Sequence, residues 1–167
     1  MRRIACLLMA AGLTGCATTG TKFEMPKTQV REGLSRLVVY QTGIPQIVRS
    51  DFAVLLDDGA ICYMVPGEVM VRDIRAGQHK IAFDNPMTAG TSVLSFTAEA
   101  GKTVYISAAP NARSVVASLL LGPLADLATS DKTTARGGSV FLEQSTSEQA
   151  EQDVATLSKS SCTPPGA

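Results

Sequence analysis

Few side chains in this sequence combine a reactive type with a spacing that could use it. His79 is the only histidine, and the four cysteines stand at positions 6, 16, 62 and 162. A His/Cys metal centre needs about three or four converging ligands, and too few remain once Cys6 and Cys16 are accounted for below. His79 could serve a serine nucleophile, but the chain has no Gly-x-Ser-x-Gly turn. Placed just after Ala76-Gly77, it reads as a partly exposed strand histidine. Gly101-Lys102-Thr103 has the end of a phosphate-binding loop, yet the first glycine of that motif would fall at Phe96, and a strand pattern follows where a helix is required. Asp57-Asp58-Gly59 lacks the alternating acids and distal Glu of a calcium loop and is explained by a hairpin turn. Carboxylate pairs for glycoside cleavage come from distant positions, but sugar clefts lean on aromatic platforms, and this chain has no Trp and three Tyr. No catalytic residue, metal or cofactor is expected.

Cys16 is the exception. Met1-Arg2-Arg3 is a short positive start, the apolar run from Ile4 to Leu13 is too short to span a bilayer, and small residues follow, the layout of a secretory signal. The run ends Leu13-Thr14-Gly15-Cys16, which resembles the lipobox of bacterial lipoproteins. That resemblance implies a diacylglycerol thioether on Cys16, removal of residues 1–15, and a mature chain that begins at Cys16. Thr14 and Gly15 are small enough to admit a peptidase, and only a thiol forms the thioether. Each buried methylene adds about 0.8 kcal/mol to membrane affinity, so two or three acyl chains make a lasting anchor. Ala17 stands where an inner-membrane retention signal would have Asp. The expected location is therefore the periplasmic face of the outer membrane.

Two thiols then remain, Cys62 and Cys162, in a compartment where disulfides persist. A bridge would close a loop of about 100 residues, worth up to ~4.7 kcal/mol on the chain-entropy argument. The alternative keeps Cys62 buried in a strand as a small hydrophobe and Cys162 free in a loose tail. Both readings stay open, because the choice depends on whether the two α-carbons come within roughly 4.4–6.8 Å.

The length of 167 residues fits one domain with a substantial core. Basic and acidic residues balance at 15 each, which removes the basic excess of a nucleic-acid binder. Residues 16–34 are polar and small and read as a lipidated tether. A β domain is expected over 35–145. Asp58-Gly59 between Val54-Leu55-Leu56 and Ile61-Cys62-Tyr63-Met64-Val65 predicts a type I′ hairpin, and Pro66-Gly67 predicts a type II turn. Leu94, Phe96 and Ala98 alternate with polar neighbours, as do Val104, Ile106 and Ala108, so each of these strands has one face on a core and one in water. The strands around Leu55 and Ile61 are apolar on both parities and read as central ones. Leu37-Val38-Val39-Tyr40 opens the set and Val140-Phe141-Leu142 closes it. Turns about ten residues apart predict a mainly β fold, an antiparallel β-sandwich or partial barrel. Residues 146–167 read as a C-terminal helix and tail, with a capping box over Ser145-Thr146-Ser147-Glu148 and a short helix covering a sheet edge through Ala150, Val154 and Leu157. Leu119, Leu120 and Leu124 lie in an apolar stretch, residues 112–129, interrupted by Gly122-Pro123. An inserted apolar helical hairpin fits it, either as a lid on the core or as an exposed surface that meets a partner or the bilayer.

Four elements in order resemble a family of bacterial lipoproteins built on a domain of unknown function (DUF2846). They are Arg36-Leu37-Val38-Val39-Tyr40, Val54-Leu55-Leu56-Asp57-Asp58-Gly59, Gly77-Gln78-His79-Lys80-Ile81 and Gly101-Lys102-Thr103-Val104-Tyr105. Gln41 stands where the family usually has Arg, and residues 112–129 look like an insertion. The family has no assigned activity, so the resemblance implies a fold and an envelope location. The sequence thus leads to a non-enzymatic accessory lipoprotein that contacts the membrane through its lipid and an envelope protein through Leu119, Leu120 and Leu124. A carrier of a small apolar ligand and an envelope hydrolase are the alternatives.

Overall fold

A computed structural model describes residues 22–42, 51–85, 90–111 and 138–162. Among them the strands run in the order β1 (Leu34–Gln41), β2 (Phe52–Leu56), β3 (Gly59–Met64), β4 (Glu68–Arg75), β5 (Gly77–Asp84), β6 (Thr91–Ala98), β7 (Thr103–Pro110) and β8 (Val140–Ser145). A helix α1 (Ser147–Val154) and a two-residue strand β9 (Ser158–Lys159) follow. One sheet has the order β8-β7-β1-β4-β9 and the other β3-β2-β5-β6. The two face each other as an open sandwich rather than a closed barrel. The expected inserted hairpin at 112–129 lies outside the described residues.

The sequence predicts an antiparallel arrangement, and the five-stranded sheet corrects this. It is mixed: β1 runs parallel to β7, and β4 parallel to β9. Tight turns force antiparallel neighbours, but β1 and β7 are joined through the other sheet, so no hairpin fixes their relative direction. The four-stranded sheet is antiparallel throughout.

The hairpin between β2 and β3 also differs in register from expectation. Asp57 and Asp58 take positive φ, 51° and 66°, one residue before the expected Asp58-Gly59 pair. Aspartate tolerates this region when its short side chain finds local partners. Asp57 has two: the Lys80 N–H at 2.9 Å and the His79 ring at 2.7 Å. Gly67, at φ 90°, supplies the positive φ of the Pro66-Gly67 turn.

Leu37, Val39, Phe52, Met64, Phe83 and Ile106 fill the space between the sheets. Burying one such side chain is worth about 1.5–3 kcal/mol. The strand covered on both faces is β1, with every residue from Ser35 to Gln41 buried. Of the two strands read as central, β2 does lie inside its sheet between β3 and β5, but its Leu55 and Leu56 are only half-buried. β3 is instead a sheet edge, with Tyr63 41% exposed. Apolar content on both parities cannot tell an edge from a centre when the covering elements lie far off in sequence. Here Val38, Tyr40 and Val69 on the outer face pack against Phe23, Ala150, Val154 and Leu157.

This third layer corrects two further expectations. Phe23 and Met25, inside the stretch read as tether, pack against the sheet: Phe23 is buried and its N–H donates to Leu157 O at 3.0 Å. Helix α1 covers the sheet's face, not its edge: Ala150 and Val154, with Leu157 just beyond its end, form one apolar cluster with Val38 and Tyr40 of β1 and Val69 of β4, against which Tyr105 of β7 packs. Its cap is Thr146, whose hydroxyl accepts from Gln149 N–H at 3.3 Å, one residue after the expected Ser145. Ser145 instead donates its hydroxyl to Tyr40 Oη at 2.9 Å, since the single Tyr40 proton goes to the Asp153 carboxylate.

The sheets are also joined along the β6–β8 side. The Ser92 hydroxyl donates to Val140 O and accepts from Gly138 N–H. A Cβ on Gly138 would lie 2.9 Å from Ser92 Oγ and 3.0 Å from both Gly90 O and Ser92 N. Gly138→Ala is therefore expected to lose about 1–3 kcal/mol by overpacking, read as a lower urea midpoint at unchanged slope; an unaltered midpoint would refute the close approach.

Candidate functional site

Two clusters of chemically distinctive residues lie within the described structure. Cys16, Leu119, Leu120 and Leu124 fall outside it, so the sequence-derived lipid site and partner contact are not placed by it.

The first cluster joins the C-terminal segment to both sheets. Cys62 on β3 and Cys162 after β9 are disulfide-bonded, with α-carbons 4.7 Å apart. Of the two readings left open by the sequence, the bridge is the one the structure has. The spacing follows from topology: β3 and β9 are the edges of their respective sheets on the same side of the sandwich, and the bridge staples one edge to the other. Ser160 sits beside the bridge, its Oγ 3.7 Å from Cys62 Sγ and 3.4 Å from Cys162 Sγ, and accepts from Cys162 N–H at 3.3 Å.

Beside the bridge lies a groove of about 590 Å³ along β4, bounded by residues 23–31 on one side and Lys159 to Cys162 on the other. Arg36 fixes its wall. It faces outward from β1 at the parity of Val38 and Tyr40, directly opposite Asp73 of β4. Its Nε donates to Asp73 Oδ1 at 3.1 Å, and Nη1 donates to Thr28 O at 2.7 Å and Pro26 O at 3.3 Å. Nη2 adds a bond to Thr28 Oγ1. Arg36 is 7% exposed. Burying a guanidinium is costly unless its donors are filled, and here carbonyl oxygens and a carboxylate fill them. The residue therefore ties the N-terminal segment to the sheet and is not available to a ligand. Sequence reasoning missed this role and that of Phe23; the available signal was one charged residue at the outward parity of an otherwise apolar strand.

The second cluster surrounds His79 at the turn end of the sandwich. Its Nδ1 lies 2.7 Å from Asp57 Oδ2 and its Nε2 2.8 Å from Arg75 O. Both partners are acceptors, so both contacts are satisfied only when both ring nitrogens carry protons. Burial opposes that charge, but the hydrogen bond to Asp57 and the Arg75 carbonyl outweigh it and raise the His79 pKa above its ordinary 6.5. The Lys80 N–H, then His79, hold the Asp57 carboxyl below its ordinary 3.8. No serine or thiol joins this pair in the described contacts, and its geometry is that of a clamp between two turns.

The chain matches no family model, no curated protein and no solved structure.

Because the folded His79 pKa is raised, the clamp's contribution is complete below about pH 6.5 and is lost as pH rises through the folded value. The Asp57 contribution has the opposite sense: present above its ordinary value and lost as pH falls through the lowered one. NMR titration of the single histidine is expected to give a value above 6.5 that falls in Asp57→Asn; a value at or below it would refute the doubly donating ring. For the bridge, Cys162→Ser is expected to cost about 2–5 kcal/mol of unfolding free energy, measured by denaturant unfolding under oxidising conditions.

Proposed function

We propose that this chain is a lipid-anchored, non-enzymatic interaction module of the bacterial cell envelope, held by Cys16 at the periplasmic face of the outer membrane. The observation that carries the reading is the bridge between buried Cys62 and half-buried Cys162. Structural disulfides are kept in oxidising compartments and are rare where thiol reductants prevail. A signal ending in Leu13-Thr14-Gly15-Cys16 leads to such a compartment, and the resemblance to an envelope lipoprotein family points the same way.

The module reading draws on the distribution of polar groups. Arg36, Asp73, His79 and Asp57 spend their hydrogen bonds on joining elements, so each has a structural task. The space between the sheets is occupied by Leu37, Val39, Phe83 and Ile106, each at most 1% exposed. This packing speaks against carriage of an apolar molecule inside the sandwich. Among the described residues, the groove along β4 is a surface open to a partner.

The anchor is tested by expressing the full chain and its Cys16→Ser variant in a diderm bacterium and separating membrane from soluble periplasm. The unaltered chain is expected in the outer-membrane fraction with a mass increase for diacylglycerol on Cys16, and the variant in the soluble fraction. An unmodified Cys16, or a variant that still sediments with membrane, would overturn the proposal.

A further inference from the structure

The β4 edge is paired for only part of its length. Ser158 N–H donates to Gly67 O and Ser160 N–H to Val69 O, both at 2.9 Å. Gly67 precedes the strand and turns its own N–H to Gln41 O of β1. Within the strand, however, Val69 O points away from β1, while Ala76 N–H just past its end, of the other parity, reaches Gly33 O. By the two-residue period of a strand, the groups of Val71 and Asp73 follow Val69. Arg75 does too, and its carbonyl is taken by the His79 ring at 2.8 Å. Between these limits the N–H and C=O of Val71 and Asp73 face outward, and no strand among the described residues pairs with them. The reason is covalent: after Ser160 the chain leaves β4 so that Cys162 reaches Cys62 in the other sheet. The groove of about 590 Å³ lies along this opening, and its lining includes five consecutive residues of β4, Val69 through Asp73. Both parities of β4 line it, as at an edge, and Phe23 and Arg36 continue the lining onto the adjoining outer face.

The rim is cationic. Arg31, Arg72 and Lys159 line the groove and are exposed, while Arg36 and Asp73 neutralise each other. Glu24 is the one further carboxylate among the described lining residues. A second copy of the chain docking edge to edge would bring these cations against one another. A small anion would leave the alternating N–H and C=O groups unmatched. An extended peptide satisfies both demands.

We infer that the open β4 edge accepts an extended segment of a partner protein as an added strand, selected by acidic residues flanking the paired stretch. The inference rests on the reading of the chain as an interaction module and names its contact surface.

Amide hydrogen exchange on the full-length protein tests it, with two synthetic peptides of alternating Thr and Val, one flanked by Glu and one by Lys. The Glu-flanked peptide is expected to slow exchange at the Val71 and Asp73 amides. Arg31→Glu combined with Lys159→Glu should weaken its binding about tenfold or more. Val71→Pro should abolish it, since this residue's N–H points away from β1 and its loss breaks no β1–β4 bond. If Val71→Pro fails to fold, the charge variants carry the test. Three results overturn the inference: amides already protected in the free protein, which means the chain covers its own edge; protection that rises with protein concentration alone, which means a second copy; or equal response to both peptides. Exchange reports on the edge whether or not Cys16 is acylated, so its failure is distinguishable from failure of the anchor.

Discussion

A strand that is apolar on both faces cannot sit at the surface of a two-layer sandwich, and β1 is such a strand. Leu37 and Val39 belong to the core between the sheets, while Val38 and Tyr40 present a second apolar row on the other side. Leaving that row in water would forgo the burial of two large side chains, each worth about 1.5–3 kcal/mol. The third layer answers this demand. Phe23 from the N-terminal segment and Ala150, Val154 and Leu157 from the C-terminal one converge on it. The Tyr40 hydroxyl, carried in with the ring, is satisfied by Ser145 and by Asp153 at 3.0 Å. Burial raises its pKa, consistent with a phenol kept neutral as a hydrogen-bond donor.

Once both ends of the described chain are drawn onto one face, the rest of that side is constrained. Lys22 bridges Ser158, and Phe23 bonds to Leu157, so the two segments hold each other as well as the sheet. The C-terminal segment emerges from α1 beside β4 and forms β9 there. Its next residues stand opposite β3, where Cys62 is buried. The bridge thus joins elements that covering β1 had already brought together, and its long sequence separation of 100 residues is what makes it constrain the unfolded chain.

What could be read in the sequence was local. Alternation at Leu94-Phe96-Ala98 and Val104-Ile106-Ala108 marks β6 and β7, and the residues around Asp58 and Gly67 mark turns, because period and turn chemistry depend on near neighbours. The side on which a strand is covered does not. Ile61 and Tyr63 next to Cys62 and Met64 resemble a doubly buried run as closely as Leu37 to Tyr40 do, and only non-local packing separates the edge from the centre. The displacement of the β2–β3 turn by one residue has the same origin. Asp57 takes positive φ because His79 and Lys80, more than twenty positions away, bind its carboxylate. Arg36 depends on distant partners in the same way: no local pattern marks its contacts with Asp73 and the backbone of Pro26 and Thr28.

An unpaired strand edge is a hazard, since it offers hydrogen bonds to any extended chain, including copies of itself. The structure limits this one in three ways. Ser158 and Ser160 close its start, the His79 ring closes its end at Arg75, and the cations of Arg31, Arg72 and Lys159 border what is left. Lysine and arginine along an edge repel an identical edge, so the charges that favour an acidic partner also resist self-association. The His79 contact further links the opening to its environment. The ring holds the Arg75 carbonyl as a donor only while Nε2 carries a proton, and the Asp57 carboxylate keeps that nitrogen's partner, Nδ1, protonated as well. The extent of the free edge is therefore set by the same residues that turn the chain from β4 into β5.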